Sequence, residues 1–345
     1  MVRDMDKVKT YVCGHRNPDV DTVMSAYALA ELRRRTGMND VEALCVGKLP
    51  EKAKWVFCNY NIKQQIRSKR DVYVRVADLV DASLPVIDGD VSLENALRIL
   101  DECGESSLPV RCGKTGKLAG MLSPAKLIGY FVNKSDLSIP VGEAPLRKNS
   151  LVLCTTDRVC DIKNAAIRNA RNHFPVVDEN GILVGTVLKR AFAEKPPFRM
   201  ILVDHNETAQ GIPGVEELPV VEVVDHHRIA FTTTKDPIKY TADVVGATCT
   251  LVAQMFRGAD IMPTREVCIA LLAGIVADTL LFQSPTTTEV DRQIARWLEL
   301  QSLGRHHARA YVGPFSAHEH AGRAGDIDRC ENIQRSRAEV HPCAD

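Results

Sequence analysis

Acidic and imidazole side chains follow several apolar stretches of this sequence, at the points where those stretches end. The residues concerned are His15, Asp19, Asp21, Asp204, Asp225, His226, His227 and Asp278. In an open parallel sheet the carboxyl ends of the strands share one edge, and ligands bind there. Segments far apart in the chain are therefore predicted to bring these side chains into one cleft.

Charge repulsion limits the chemistry of such a cleft. Five carboxylates crowded together repel one another unless they are protonated or bridged by cations. Imidazole and carboxylate ligands without cysteine suit Mn²⁺, Mg²⁺, Fe²⁺ or Zn²⁺ better than Ca²⁺. The ligands suffice for two ions, and a pair of metal ions can hold a phosphoryl group and convert a bridging water into a hydroxide nucleophile.

Each motif also has a purely structural interpretation. Asp21 precedes an apolar helix and could serve only as its N-cap. Asn17-Pro18 is typical of a turn, and the run over 284–288 is typical of a helix start. The double histidine at 226–227 is harder to explain in this way, and four such coincidences in one domain favour a metal site.

The elements that would position these residues alternate between strands and helices in two separated parts of the chain. Runs rich in strand-forming and apolar residues predict strands over 9–13, 43–47, 199–203 and 220–224. Apolar residues at helical spacing predict helices over 21–35, 51–58, 247–256 and 264–276. Thr288-Glu-Val-Asp291 has capping-box spacing and opens a further helix through Leu300. This alternation predicts an α/β fold with a doubly wound parallel sheet.

An internal repeat separates the two parts. Ser107-Leu-Pro-Val110 and Gly116-Lys-Leu-Ala-Gly120 recur as His173-Phe-Pro-Val176 and Gly181-Ile-Leu-Val-Gly185. An amphipathic helix precedes the first motif in both copies, which predicts two units of helix, strand, turn and strand. The predicted organisation is 1–70 and 195–303 for the α/β domain, 71–130 and 131–194 for the repeats, and 304–345 for a divergent, poorly ordered tail.

The composition excludes several classes of protein. The 345 residues contain 44 Lys and Arg and 44 Asp and Glu, whereas a nucleic-acid or acidic-membrane binder normally carries a basic excess. No apolar run is long enough for a membrane span, and the charged first ten residues do not form a signal peptide. The eleven cysteines contain no C-x-x-C pair, so we expect reduced thiols and a cytoplasmic protein.

Four motifs of this sequence resemble those of the DHH phosphoesterase superfamily. They lie at 14–21 (Gly-His-Arg-Asn-Pro-Asp-Val-Asp), 203–207, 223–228 and 274–279. Val-Asp-His-Asn-Glu and Leu-Phe-Gln-Ser-Pro-Thr-Thr-Thr, at 203–207 and 281–288, resemble most closely the manganese-dependent inorganic pyrophosphatases of family II. The inserted repeat resembles a pair of CBS domains, an α+β module that commonly binds adenine nucleotides. The resemblance implies metal-dependent hydrolysis of pyrophosphate to two phosphates, with regulation by AMP, ADP or ATP, and a homodimer.

The resemblance also implies roles for individual residues. His15, Asp19 and Asp204 would hold one metal ion, and Asp21, Asp204, His226 and Asp278 the other, with Mn²⁺ favoured and Mg²⁺ or Co²⁺ possible. His227 would contact the substrate and protonate the leaving phosphate. Asp225 would orient a histidine, as metal-ligating histidines generally require.

The sequence departs from the family pattern in two places. The family's C-terminal domain, with its Ser-Arg-Lys-Lys stretch, has no counterpart after Leu303, and Ser336-Arg337 is followed by Ala-Glu. A truncated or frame-shifted reading frame would explain this change, would impair hydrolysis, and can be tested by translating the other two frames. The ribose-binding acidic residue of CBS domains is replaced by Lys126 after Ser123, and by Ala191 after Leu188.

The candidate contacts to a nucleotide are therefore Ser123, Lys126, Lys189 and Arg190. An alternative of equal weight is that the two lysines and the arginine are only solvated surface residues. Two other functions stay open on the sequence alone. One is a different DHH phosphoesterase that acts on polyphosphate or a nucleotide. The other is a non-catalytic, nucleotide-sensing protein with a degenerate metal site.

Overall fold

The computed structural model describes residues 8–303, apart from 64–65, 134–135, 149–150, 231–233 and 235. The predicted tail over 304–345, with Ser336-Arg337, lies outside the described residues. The chain divides into two compact units. The first contains the residues up to Val72 together with those from Phe198 onward, and the second spans Tyr73–Pro197.

The first segment of the chain contributes three strands and two helices to the first unit. Its elements are β1 (Lys9–Cys13), α1 (Val20–Arg35), β2 (Val41–Val46), α2 (Glu51–Asn59) and β3 (Ile66–Lys69). The bounds of β1, β2 and both helices agree with the prediction to within two residues. β3 escaped prediction because it is four residues long and only its first residue is buried, so it lacks an apolar pattern.

The second unit consists of two similar halves. The first half contains β4 (Ile87–Asp88), α3 (Leu93–Glu102), β5 (Leu108–Arg111), β6 (Leu118–Leu122) and α4 (Pro124–Asn133). The second contains β7 (Leu153–Cys154), α5 (Val159–Arg168), β8 (His173–Val177) and β9 (Leu183–Leu188), followed by a short 3₁₀ turn over Lys189–Phe192. Each half forms a three-stranded sheet with its own apolar core, and both contain the predicted helix and strand pair.

The chain then returns to the first unit and completes its sheet. The returning elements are β10 (Phe198–Val203), β11 (Val220–Asp225), β12 (Lys239–Ala242), α6 (Thr248–Gly258), α7 (Arg265–Asp278) and α8 (Glu289–Leu303). The sheet has the strand order β12-β11-β10-β1-β2-β3, and every pair of neighbours is parallel. The strand order reverses between β1 and β10, so the predicted parallel α/β fold is confirmed. β12 escaped prediction because it is a mostly exposed edge strand.

The core of the first unit lies where α1, α6 and α7 pack together and against the sheet. The residues of α7 from Val267 to Val276 are all buried, as expected for a helix without a polar face. Gly274 permits close approach at this point, because a Cβ there would lie 2.3 Å from Cys249 Sγ. The packing brings the last turn of α7 and the first turn of α1 to the same edge of the sheet. Within the described part of the chain, no helix combines the length and apolar character needed to cross a bilayer.

Candidate metal centre

The predicted side chains meet at the edge of the sheet where its strand order reverses. β1 and β10 are neighbours, and the chain leaves their carboxyl ends toward His15 and Asp204. β11 ends at Asp225, directly before His226, and α7 ends at Asp278. All six predicted metal ligands fall into three overlapping groups, and within each group the potential ligand atoms lie within 4.8 Å of one another. The third of these groups joins Asp204, His226 and His227.

The first group contains His15, Asp19 and Asp204. His15 Nε2 lies 3.6 Å from Asp19 Oδ2 and 3.4 Å from Asp204 Oδ2. The other oxygen of Asp19, Oδ1, accepts a hydrogen bond of 2.8 Å from Thr22 N and so caps α1. The interpretation of Asp21 as the N-cap is therefore wrong, because the helix begins one residue earlier than predicted and Asp19 occupies the capping position.

The second group contains Asp21, His226 and Asp278. His226 Nε2 lies 3.4 Å from Asp278 Oδ2. Asp21 is buried in the first turn of α1, and its carboxylate accepts hydrogen bonds from Thr248 N at 2.7 Å and Cys249 N at 3.0 Å. These bonds aim the Asp21 side chain at the start of α6, so α1 and α6 together fix this ligand.

Asp204 connects the two groups. Its Oδ2 faces His15, and its Oδ1 lies 3.6 Å from His226 Nε2. The residue has a φ of 61°, a left-handed conformation that is uncommon without glycine and typical of functional sites. Thr22 Oγ1 donates a hydrogen bond of 2.5 Å to Oδ2, and Thr248 Oγ1 donates one of 3.0 Å to Oδ1. The carboxylate is thus held with one oxygen toward each group.

The ring of His226 is oriented by a backbone carbonyl. Its Nδ1 lies 3.0 Å from Val245 O, which identifies Nδ1 as the hydrogen-bond donor. Its Nε2 is buried, faces two carboxylates, and has no hydrogen-bond partner among the described residues. A buried nitrogen in that state costs free energy unless a donor or a cation binds it. Because two carboxylates face the same point, the donor set fits divalent metal ions.

His227 takes a different position from its neighbour. Its side chain is 52% exposed, and its Nδ1 lies 2.9 Å from Asp225 Oδ1 and 3.8 Å from Asp204 Oδ1. Asp225 is fully buried and is held in turn by Asn206, whose Nδ2 donates to Asp225 Oδ2 at 2.6 Å. His227 therefore faces solvent at the rim of the site, while Asp225 fixes its ring.

The pKa values of the site show the repulsion that a cation would relieve. Burial raises the pKa of Asp278 to about 6, with a further contribution from Asp204. Burial and Asp204 also raise the pKa of Asp21. Burial alone would lower the pKa of His15, but Asp19 and Asp204 outweigh it and raise the pKa to about 10. Without metal the site retains protons, so metal binding should release them.

Sequence reasoning missed the two threonines that orient Asp204. Thr22 Oγ1 lies 2.7 Å from His15 Nε2 as well as bonding to Asp204, and Thr248 bonds to both Asp204 and Asp21. Thr22 could have been found from its position three residues after Asp19. Thr248 had no local signal, because its partners lie far away in the chain.

The residues predicted to contact a nucleotide lie in the second unit. Ser123 is buried after β6, and the exposed Lys126 bonds to it through the backbone at 2.9 Å. Lys189 donates to the carbonyl oxygen of Asn169, and the exposed Arg190 lies 3.8 Å from Asp81. Lys189 and Arg190 would have to exchange these side-chain partners for phosphate, and the four nucleotide contacts stay a prediction.

Comparison with known proteins agrees with this geometry. The DHH family, N-terminal domain, matches residues 9–275. A cobalt-dependent inorganic pyrophosphatase from Clostridium perfringens is 37% identical over 402 residues, which covers 84% of this chain and 73% of the relative. A probable manganese-dependent inorganic pyrophosphatase from Thermotoga maritima is 35% identical over 176 residues, 51% of this chain. The chain spans only 31% of the length of that second relative.

Comparison with solved structures gives two further similarities. A putative family II inorganic pyrophosphatase from Methanococcus jannaschii is 18% identical, with a TM-score of 0.44, and the match covers 87% of this chain and 57% of that one. The CBS domains of a transcriptional regulator from Streptococcus pneumoniae are 18% identical, with a TM-score of 0.31. That match covers 35% of this chain and 98% of the other.

Proposed function

The chain belongs to the DHH family, among its metal-dependent inorganic pyrophosphatases, and we propose that it hydrolyses pyrophosphate to two phosphates and that its second unit is a CBS domain pair. The orientation of Asp204 carries this proposal, because one oxygen faces each of two ligand groups. A shared carboxylate suits a pair of divalent ions better than a single ion. The oxygen and imidazole donors suit Mn²⁺, with Co²⁺ or Mg²⁺ as the other candidates.

Different residues would have different roles in the proposed hydrolysis. His15, Asp19 and Asp204 would hold one ion, and Asp21, Asp204, His226 and Asp278 the other. Bound ions would supply a hydroxide nucleophile and neutralise the charge of the phosphates. The two threonines hold the Asp204 carboxylate with one oxygen toward each ligand group, and the Val245 carbonyl keeps the proton of His226 on Nδ1, so that Nε2 would be available to a metal ion.

His227 is the proposed general acid. The hydrogen bond to Asp225 is the largest cause of its raised pKa. With Nδ1 held by Asp225, the second nitrogen, Nε2, is available to donate a proton to the departing phosphate at the exposed rim. Asp225 thus acts through His227, by keeping the ring protonated and aligned.

Phosphate release from pyrophosphate in the presence of Mn²⁺ tests the proposal. Asp204→Asn should lower the rate by about 10²-fold or more, because it removes a negative charge shared by both ions. Asp243→Asn, which changes an exposed carboxylate of the same unit, should leave the rate unchanged. An Asp204→Asn variant as active as wild type would refute the two-metal site.

We also propose that the second unit binds an adenine nucleotide and regulates hydrolysis. Arg147 supports this beside the predicted contacts, since burial and the nearby Arg171 lower its pKa and two neighbouring cations suit a phosphate chain. Regulation requires that the nucleotide bind one state of the protein better than the other. Equal affinity for AMP, ADP and ATP with and without a pyrophosphate analogue would refute it.

The proposed homodimer involves the second unit. Ile128 and Val132 are 63% and 79% exposed, and Phe131 beside them is 39% exposed. The three side chains share one face of α4, since residues three and four positions apart are neighbours on a helix. A second copy of the chain would cover this face. Sedimentation velocity that shows only a monomer at micromolar concentration would contradict the dimer.

A further inference from the structure

Asp291, near the start of α8, is a fully buried carboxylate that the proposed mechanism does not use. Its Oδ2 accepts hydrogen bonds from Gly246 N at 2.8 Å, Thr288 N at 2.7 Å and Thr288 Oγ1 at 2.7 Å. Its Oδ1 accepts one of 2.6 Å from Thr250 Oγ1. The bonds from Thr288 cap the start of α8, as the capping-box spacing predicted. The bonds from Gly246 and Thr250 reach other parts of the fold and need a different explanation.

Gly246 lies in the segment that orients three metal ligands. The residue before it, Val245, accepts the hydrogen bond from His226 Nδ1 at 3.0 Å. Two residues after it, Thr248 donates to Asp21 through its backbone N and to Asp204 through its hydroxyl. A displacement of Gly246 would therefore move the partners of His226, Asp21 and Asp204 together.

The contact between Gly246 and Asp291 leaves no free space. A Cβ at position 246 would lie 2.9 Å from Asp291 Oδ2 and 2.7 Å from Thr279 Cγ2. Thr279 directly follows Asp278, the remaining ligand of the second group, and is itself fully buried. The Gly246 backbone is thus confined between the Asp291 carboxylate and the end of α7.

We propose that Asp291 is a positioning residue for the metal centre, holding the 245–248 segment so that His226, Asp21 and Asp204 point at the ions. The inference rests on the proposed function in assuming that these residues bind metal. A buried carboxylate with four donors around it can hold a backbone segment firmly, because any shift breaks several bonds at once. Groups bonded directly to a metal ligand typically change the metal affinity by 10–100-fold when they are replaced, and a shift of Gly246 would displace two such groups, on Val245 and Thr248.

Co²⁺ binding to the metal-free, full-length chain, followed by calorimetry and by the visible absorption of Co²⁺, tests this role without reference to catalysis. Asp291→Ala should weaken Co²⁺ binding by about 10–100-fold. Asp291→Asn should stay within about threefold of wild type, because its carbonyl oxygen can accept from Gly246 N while its amide donates to the Thr250 hydroxyl. Thr250→Val is the matched control, and it should lower the melting temperature but leave Co²⁺ affinity unchanged, since the bond to Gly246 remains.

Wild-type affinity in Asp291→Ala would overturn the proposal and leave Asp291 as a helix cap only. If that variant fails to fold, Gly246→Ala replaces it, since the added methyl group presses on the same oxygen. Unchanged Co²⁺ affinity in Gly246→Ala would overturn the proposal equally. A wild-type chain that binds Co²⁺ but does not hydrolyse pyrophosphate would refute the proposed function alone, and one that binds no Co²⁺ would refute both.

Discussion

Replacing Asp278 with asparagine should stabilise the metal-free chain at neutral pH, although Asp278 is a proposed metal ligand. Burial, followed by the charge of Asp204, raises the pKa of this carboxyl group from 3.8 to about 6. We take 3.8 as the pKa in the unfolded chain and about 6 as the pKa in the folded chain. The ionised group is then less favourable in the folded chain, which lowers the free energy of unfolding by about 3 kcal/mol at pH 7.5. The side chain is 32% exposed, so water screens part of this effect. We expect a gain of about 1–2 kcal/mol in the variant after that screening.

The direction of the pH dependence follows from proton binding. Between pH 4 and 6 the folded chain holds a proton at Asp278 that the unfolded chain has lost, so this group lowers stability progressively as pH rises through that window. The destabilisation reaches its full size about one pH unit above the folded pKa of about 6, and it is absent well below the unfolded pKa of 3.8. The advantage of Asp278→Asn should therefore be larger at pH 7.5 than at pH 4.5.

Urea unfolding in EDTA at these two pH values measures the effect, with Asp243→Asn as an exposed control that should change stability at neither pH. Addition of Mn²⁺ should reverse the order, because the ion binds and stabilises the wild type more tightly than the variant. The reasoning would be refuted if Asp278→Asn were no more stable than wild type at pH 7.5 in EDTA. An advantage that is equal at both pH values would refute it as well.

Two further predictions concern the packing behind the site. Gly274→Ala should weaken Mn²⁺ binding about tenfold or more, because its Cβ would lie 2.3 Å from Cys249 Sγ and 2.8 Å from Asp21 Oδ1. Gly258→Ala, in α6 with open space around it, should bind Mn²⁺ normally in the same titration, and equal behaviour of the two variants would contradict the steric argument. Arg33→Met should lower the free energy of unfolding by about 3 kcal/mol, because Arg33 Nε bonds to the buried Glu222 at 2.7 Å and its loss leaves that charge with only the exposed Lys239, whose Nζ lies 3.6 Å from Glu222 Oε1. Urea unfolding measures this, and a loss no larger than that from Lys54→Met, which breaks an exposed pair with Glu51, would show that Glu222 does not depend on Arg33.

Local patterns in the sequence were sufficient for most of the elements that carry the site. Helical spacing of apolar residues predicted α1, and strand-forming runs predicted β1, β10 and β11, because both periodicities arise from burial of one face or one segment. The edge strands β3 and β12 lack that signal, since most of their side chains are exposed. The alternation of strands and helices, together with acidic residues at the carboxyl ends of the strands, was also enough to predict one shared cleft.

The two strand-end histidines His205 and His226 show where the sequence alone was insufficient. Both follow a buried strand and an aspartate, and both are held through Nδ1 by a backbone carbonyl. His205 is buried against its own strand, and none of the three ligand groups among the described residues includes it. His226 turns its Nε2 toward Asp204 and Asp278. Only the path of the chain after each strand distinguishes the two.

The sequence by itself determined which residues bear charge, which segments become strands or helices, and hence which side chains end at one edge of the sheet. The tertiary structure decided the direction of each ligand. Thr248, which holds Asp21, lies 227 positions away from it in the chain. The carboxylate of Asp204 is held by threonines from two different helices. Such orientations depend on hydrogen bonds between distant segments, and these bonds cannot be predicted from a local pattern of residues.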